Sequence, residues 1–361
     1  MSVARRAWLV AAAAALRPGH ASVTPQALAF PRDHGAHLET RIEWWYVTGW
    51  LADAAAASPA FGFQLTFFRS RTGLARELPS RFAARQLLLA HMALTDVAAG
   101  TLRHAERVAR WSEDEGAAAA AASTAYTRVH VGDWRFARGA DGTYAAALAD
   151  RGAGFALQLA LAPTKPLLLQ GVSGLSRKGP LPHETSRYYS QPQLEVQASV
   201  AANGTRRALR GRAWLDHEWS DAPLPAGAVG WDWVGINLDD GGALTAFRLR
   251  TRDGGALWAG GSFRARGGSV RAFGTEEVRF EPLAWWTSAA TRVRYPVAWR
   301  ITTPAGGFEV HALVPAQELD ARASTGNVYW EGLAECRVAG SPARIGLGYL
   351  ELTGYEAPLR L

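Results

Sequence analysis

Arg41-Ile-Glu-Trp-Trp-Tyr-Val-Thr-Gly-Trp50 is dense in aromatic and β-branched residues, the composition of a strand. Extended, it sends Ile42, Trp44, Tyr46 and Thr48 to one face and Glu43, Trp45 and Val47 to the other. One aromatic face can then line a cavity while its reverse meets neighbouring structure. Runs of the same kind follow at 61–69, 86–96, 126–131, 134–138, 143–150 and 154–161, divided by turn signals such as Gly132-Asp133 and Asp141-Gly142. The pattern resumes at 193–200 and 206–214 around Asn203-Gly204, and again at 229–238, 243–251, 257–266, 293–302, 307–313, 327–338 and 345–353. Many short strands, glycine-rich turns and few helical periods predict an all-β antiparallel barrel or sandwich. The exception is 104–122, charged and then alanine-rich, which predicts a helix or a mobile insertion.

Near the middle of the chain, Gly211-Arg-Ala-Trp-Leu-Asp-His-Glu-Trp-Ser220 sets Asp216, His217 and Glu218 between Trp214 and Trp219. Gly230-Trp-Asp-Trp-Val-Gly235 then adds Trp231, Asp232 and Trp233. Acids and a histidine among large rings lose water on folding, which moves pKa values toward neutrality and suits acid–base chemistry. In an extended conformation Asp216 and Glu218 share one face, and His217 and Trp219 share the other. One cavity can take both sets only if the segment turns. The opposing reading makes His217 and one acid a structural hydrogen-bond network tying the domains together. A metal site built from His34, His37, His217 and nearby acids is a further alternative, weakened because the His34-x-x-His37 spacing is common by chance. Glycines at 171, 174 and 179 mark a loop, and Thr185-Ser-Arg-Tyr-Tyr-Ser190 after it could reach into a barrel mouth.

A chain of 361 residues suits two domains. The formal charge of +7 is carried almost wholly by arginines scattered along the chain, so the concentrated basic stripe of a nucleic-acid binder is missing. The lone Cys336 excludes an intramolecular disulfide and a cysteine-based zinc site, and reads as a buried apolar filler. Arg5-Arg6, an apolar run over 7–16 and small residues at Gly19 and Ala21 outline a signal peptide over 1–21, hence a periplasmic or secreted protein. The domains are expected at 22–210 and 211–361. Glu43-Trp44-Trp45 and Trp231-Asp232-Trp233 form a faint internal repeat, compatible with two similar barrels or with convergence of aromatic strands.

Asp33-His-Gly-Ala-His37 with Glu43-Trp-Trp-Tyr-Val-Thr-Gly49 resembles a bacterial family described as AttH-like or as secreted hydrolases, related to carotenoid 1,2-hydratase. The resemblance continues through 171–179, Tyr188-Tyr-Ser-Gln-Pro192, 213–219, 230–233, Tyr329-Trp-Glu-Gly332 and Gly348-Tyr-Leu-Glu-Leu-Thr-Gly-Tyr355. It implies two tandem lipocalin-like, calycin-type antiparallel β-barrel domains and, in the hydratases, addition of water to an isolated double bond without a cofactor. A histidine and a tryptophan two residues apart are implicated in those enzymes, and His217 and Trp219 match that spacing. A tyrosine and an aspartate implicated on a later strand have no counterpart in Thr245-Ala-Phe-Arg248, a departure from the carotenoid hydratases.

Hydrating an alkene needs a proton donor, a pocket that tolerates a carbocation, and delivery of water. Asp216, Glu218 or Asp232 could donate the proton, with His217 positioning or deprotonating water. Trp44, Trp214, Trp219, Trp231 and Trp233 could supply aromatic faces, while Tyr46, Tyr188 and Tyr189 line the substrate space. The expected partner is a hydrophobic small molecule of isoprenoid or lipid type, with no cofactor, metal or nucleic acid. The alternative is a carrier that holds such a ligand beside a membrane transporter, a reading favoured by the family's association with transport genes and by the ligand-holding habit of lipocalin-type barrels.

Overall fold

The computed structural model describes residues 27–359 apart from 55, 57, 74–79, 81–82 and 223, so the leader expected at 1–21 lies outside the described residues. Among the described residues every regular element is a strand except two short 3₁₀ turns, Arg32–His34 and Thr275–Glu277. No helix among them is long and apolar enough to cross a membrane.

The first sheet begins with β1 (Ile42–Ala52), β2 (Phe61–Arg71), β3 (Gln86–Asp96), β4 (Thr101–Trp111), β5 (Ala120–Ala122) and β6 (Arg128–Val131). It continues with β7 (Trp134–Arg138), β8 (Tyr144–Asp150), β9 (Phe155–Pro163), β10 (Leu168–Leu169), β11 (Leu175–Arg177), β12 (Thr185–Ala202) and β13 (Thr205–Ser220). The second begins with β14 (Gly230–Leu238), β15 (Ala243–Arg250), β16 (Ala256–Arg264), β17 (Val270–Phe273) and β18 (Arg279–Thr287). It ends with β19 (Arg294–Thr303), β20 (Gly306–Ala312), β21 (Glu318–Ala321), β22 (Asn327–Val338) and β23 (Arg344–Leu352).

The pairing order is β4-β3-β2-β1-β13-β12-β9-β8-β7-β6-β5 in the first sheet and β17-β16-β15-β14-β23-β22-β20-β19-β18 in the second. In each, the first strand pairs antiparallel with the last, which rolls the sheet into a barrel. In the first barrel the free edges also meet: β4 returns against β5 and β6, and Arg107 reaches the Val131 carbonyl and stacks on Trp134. In the second, the Thr275–Glu277 turn bridges β17 to β18, its Thr275 hydroxyl bonded to Ala259 O at 3.1 Å. The fold is therefore two tandem lipocalin-like barrels, which decides the barrel-or-sandwich choice.

Side chains fill both interiors. Trp45, Phe63, Leu65, Phe67, Leu88 and Trp134 are fully buried in the first, and Val234, Tyr295, Trp299, Ile301 and Trp330 in the second. Burying an aliphatic or phenyl side chain contributes about 1.5–3 kcal/mol. Cys336 sits in the second core as the expected filler, its thiol pushed up to about 12 by burial.

Three expectations change. The run 104–122 is β4 and β5, not a helix, because alternation drives Ala105, Ala109 and Trp111 onto the first core while β3 supplies pairing along the whole strand. Part of the expected loop before residue 190 is strand: Leu168–Leu169 and Leu175–Arg177 pair with β12, and Thr185–Ser190 opens β12 against β13. The chain passes between barrels after Ser220, so residue 211 lies inside β13 and the first barrel keeps the whole of 205–220.

Close backbone approach governs the closing seams. A Cβ at Gly211 would overlap the Trp50 carbonyl across β1–β13, and one at Gly348 the Gly235 carbonyl across β14–β23. Forcing in a methyl group costs about 1–3 kcal/mol. Gly211→Ala and Gly348→Ala should each lower the urea midpoint accordingly, whereas Gly267→Ala, with open space around it, should leave it unchanged.

Candidate functional site: a cavity between the barrels

Period-two alternation gives each barrel an inner and an outer face, and the outer faces of the two closing seams pack together. Tyr46, Trp214, Trp233, Phe247, Leu333 and Tyr349 form this interface core. Buried hydrogen bonds lock it: Thr95 Oγ1 donates to Gln317 Oε1 at 2.7 Å, Ser262 Oγ to Gln170 Oε1 at 2.8 Å, and Asn237 Nδ2 to the Ala213 carbonyl at 3.0 Å. Between the barrels lies a cavity of about 310 Å³. Its sides are apolar, from Phe68, Leu87 and Leu89 of the first barrel and Phe247 and Leu249 of the second. The cavity is thus an inter-barrel cleft and not a barrel mouth, since large side chains fill both barrel interiors.

β13 runs straight through 205–220, so its alternation separates the acids from the histidine. Asp216 and Glu218 face the cavity with Trp44, Tyr46, Tyr188, Trp231 and Trp233. Trp214 stands behind this wall and donates its indole N–H to Asp216 Oδ1 at 2.7 Å. Asp216 also accepts from Ser190 Oγ at 2.5 Å and Tyr188 Oη at 2.7 Å. Burial pushes its pKa up to about 7 against the pull of those three donors, and the nearby Glu218 adds to the rise. Glu218 pairs with Lys178 at 2.8 Å, whose ammonium lies 4.4 Å from the Phe247 ring centre and 4.9 Å from that of Tyr188.

Two further acids complete the floor. Glu331 on β22 and Glu351 on β23 are direct register partners, and both line the cavity. Burial raises the pKa of both, Glu351 to about 7, and the Glu351 charge raises Glu331 further. Two carboxylates side by side cannot both ionise cheaply, so the pair keeps a proton near neutrality. Trp231 hydrogen-bonds Glu351, and the Tyr46 hydroxyl stands beside Glu331.

His217, Trp219 and Tyr189 point the other way, into the first barrel, where they meet the segment 31–40. This overturns their expected place in one cavity with Asp216 and Glu218. Glu43 Oε1 accepts from His217 Nε2 at 2.8 Å and His37 Nδ1 at 2.7 Å, and Oε2 from Arg69 Nε at 2.8 Å and the His37 amide at 2.9 Å. His217 Nδ1 meets the Tyr189 hydroxyl at 3.1 Å, which also meets His34 Nδ1 at 2.9 Å. His37 stacks on Trp219 at 3.7 Å and bonds Asp33 Oδ1 at 3.2 Å through Nε2. Burial alone would raise the Glu43 pKa, but its histidine and arginine partners hold it well below the usual range. Burial opposes a charge on His37, yet Asp33 and Glu43 raise its pKa, while burial lowers that of His217 and takes His34 down to about 4.

His37, Glu43 and His217 offer ligand atoms within 4.8 Å of one another, a donor set of the kind metals use. Here the charges already close on themselves, Glu43 against Arg69 and His37 against Asp33, and a buried divalent ion would add charge with nothing left to balance it. His217 and Glu43 do form a hydrogen-bond network, but it joins β13 and β1 to the 31–40 segment and not one domain to the other. His34 belongs to the same network.

Asp232 also leaves the expected site. It faces the second barrel interior, paired with Arg248 at 2.7 Å and Arg250 at 3.3 Å and accepting from Tyr355 Oη at 2.8 Å. Lys178, Glu331 and Glu351 are cavity residues that sequence reasoning missed. The signal was present in Tyr329-Trp-Glu-Gly332 and Tyr349-Leu-Glu-Leu352, each an acid placed by alternation on the same face as a tyrosine two residues earlier.

The network around Glu43 makes a stability prediction. Its depressed pKa contributes stability that is complete above the unfolded value of 4.5 and is lost as pH falls through the folded value. The raised pKa of His37 contributes below 6.5 and is lost as pH rises through its folded value. Glu43→Gln strands the buried Arg69 charge, an expected loss of about 3–5 kcal/mol. Urea titrations across pH should show that loss together with a flattened acid limb.

A family model described as AttH-like matches residues 21–355. Among solved structures, a Nitrosomonas europaea protein described as a candidate AttH is 44% identical, with a TM-score of 0.83 over 92% of this chain and 99% of that one. Kievitone hydratase from Nectria haematococca shares the fold at 13% identity and TM-score 0.67, covering 93% of this chain and 95% of that one. CghA, solved with Sch210972, does so at 15% identity and TM-score 0.54, covering 88% and 89%. No curated protein matches the sequence. By the family match over nearly its whole length, the chain belongs to the AttH-like family.

Proposed function

We propose that this protein is a cofactor-independent enzyme of the hydratase type, acting by acid–base chemistry on a hydrophobic isoprenoid or lipid-like substrate in the inter-barrel cavity. The observation that carries the reading is a set of buried carboxyls facing an aromatic cavity, with Asp216 held by three donors opposite the proton-sharing pair Glu331 and Glu351. The likeness to kievitone hydratase supports the class through the fold, and its substrate is not carried over.

In the forward direction the Glu331–Glu351 pair gives its proton to the alkene carbon that leaves the more stable cation. The faces of Trp44, Trp231 and Trp233 stabilise that charge through their quadrupoles. Water adds to the cationic carbon and Asp216 takes the proton it sheds, so one water is gained and no net proton is consumed. Return of the proton from Asp216 to the glutamate pair resets the site. His217 and Trp219 act in this scheme as positioning residues: they anchor the inner face of β13, whose outer face carries Asp216 and Glu218.

Carriage of a lipid or isoprenoid for a membrane transporter is the second reading, favoured by the apolar walls of the cavity. It leaves the buried carboxyls without a purpose, and burying them is costly. Incubating the protein with a bacterial isoprenoid and lipid extract separates the two by mass spectrometry. The enzyme yields a product heavier by one water, and Asp216→Asn and Glu351→Gln should each lower its rate by about 10²–10⁴-fold. With both Asp216 and Glu351 pushed to about 7, kcat/KM should follow a bell centred near neutrality. It falls on the acid side as Asp216 is protonated and on the alkaline side as the glutamate pair loses its proton. Retention of an unaltered ligand by wild type would leave the carrier.

Export belongs to the same proposal and rests on the basic and apolar N-terminal run. The intact mass of protein recovered from a periplasmic fraction should correspond to a chain starting near Ser22, and a full-length mass there would reject cleavage.

A further inference from the structure

Five carboxyls line the cavity; with Glu43 closed by Arg69, Asp216, Glu218, Glu331 and Glu351 stand against one lysine. Its other basic lining residues do not offset them: Arg69 is committed to Glu43 inside the first barrel, and burial pushes the pKa of His91 down to about 3, leaving it neutral. Lys178 neutralises Glu218 alone. On the second-barrel side Glu331 faces Glu351 with no cation between them, and Glu331 Oε1, in a residue only 3% exposed, makes no well-formed hydrogen bond although the Tyr46 hydroxyl is near. Tyr46 can fill only part of that acceptor capacity, since a carboxylate takes several donors, so the site has room for a donor from outside the chain.

The walls are also suited to positive charge. Lys178 shows this directly, because its ammonium rests between the Phe247 and Tyr188 rings with Glu218 at 2.8 Å, an aromatic and carboxylate cage around a cation. Trp44, Trp231 and Trp233 extend the same kind of surface to Glu331 and Glu351, where no resident cation is found among the lining residues. Bare metal ions prefer oxygen-rich, hydrated sites, whereas an organic ammonium gains from ring faces and carboxylates together.

Building on the reading of this cavity as the ligand site, we infer that its ligand is a hydrophobic amine, whose protonated nitrogen is held by Glu331 and Glu351 and whose apolar body lies along the Phe68, Leu87 and Leu89 side. An ammonium there would complete the charge that the second barrel leaves open, as Lys178 does on the first. The glutamate pair, keeping one proton, carries a single negative charge, which one ammonium balances.

Three probes of equal length test this: n-octylammonium, n-octanol and n-octanoate, titrated below their micellar concentrations against intrinsic tryptophan fluorescence. Octylammonium should bind at least about tenfold more tightly than octanol, a difference of roughly 1.4 kcal/mol, and octanoate more weakly than either. The double substitution Glu331→Gln and Glu351→Gln should bring amine and alcohol to within about twofold while alcohol binding is retained. Equal binding of amine and alcohol by wild type, or an amine preference that survives both substitutions, would overturn the inference. The wild-type comparison stands if the double variant does not fold. The hydratase reading fails separately: an amine preference without any water-gained product removes the enzyme and keeps the amine site, and hydration of a neutral alkene without amine preference does the reverse.

Discussion

Antiparallel pairing of the first strand with the last is the constraint on which the rest of each barrel depends. Once β1 lies against β13 and β14 against β23, alternation leaves no freedom about which residues are enclosed. Glu43, Trp45, His217 and Trp219 go inside the first barrel, and Trp44, Tyr46, Asp216 and Glu218 go outside. Shifting the register by one residue would send the acids of the cavity into the barrel core and the core histidine into the cleft. The many large side chains in the core make that slip prohibitive, so packing far from the cavity determines its chemistry.

The two barrels use this constraint in parallel ways. Glu43 lies opposite Arg69 on the next strand, and Asp232 lies opposite Arg248 in the same relation, each as a buried ion pair inside its barrel. On the outer faces, Trp44 lies opposite Glu218 and Trp233 opposite Glu351. The faint repeat of an acid among tryptophans is therefore a structural repeat: the tryptophan after each acid, Trp44 and Trp233, reaches the cavity, joined in the second barrel by Trp231.

Much of this is legible in the chain. Strand positions follow from β-branched and aromatic runs bounded by glycine turns, because half-buried strands carry a period that composition alone reveals. Period two by itself also separates Asp216 and Glu218 from His217 and Trp219. Which face meets which neighbour is not legible in the same way. Asp232 looks like Asp216 in sequence, an acid beside tryptophans, yet one faces a barrel core with two arginines and the other an open cleft. That difference is set by Arg248 and Arg250 on one side and Tyr188 and Ser190 on the other, all placed by tertiary pairing. Glu331 and Glu351 are inconspicuous because neither has another acid or a histidine next to it in sequence, and their meaning arises only when β22 and β23 bring them together. The helix expected over 104–122 does not form because alanine content speaks for helix locally, while a free edge of β3 speaks for strand.

The repeat also explains why the cleft is chemically lopsided. Glu218 and Glu351 occupy equivalent places, but their neighbours on the next strand differ: Tyr188 lies across from Glu218, and Glu331 lies across from Glu351. A tyrosine leaves its partner free to pair with Lys178, so on the first wall this carboxyl meets a cation. A second carboxyl forces its partner to share a proton, so the second wall is an acid at the same pH. Two related outer faces, differing at this cross-strand position among others, thus place a charge pair on one side of the cavity and a shared proton on the other. That asymmetry is the minimum an acid–base site between two similar barrels requires, and it needs no contribution from either filled interior.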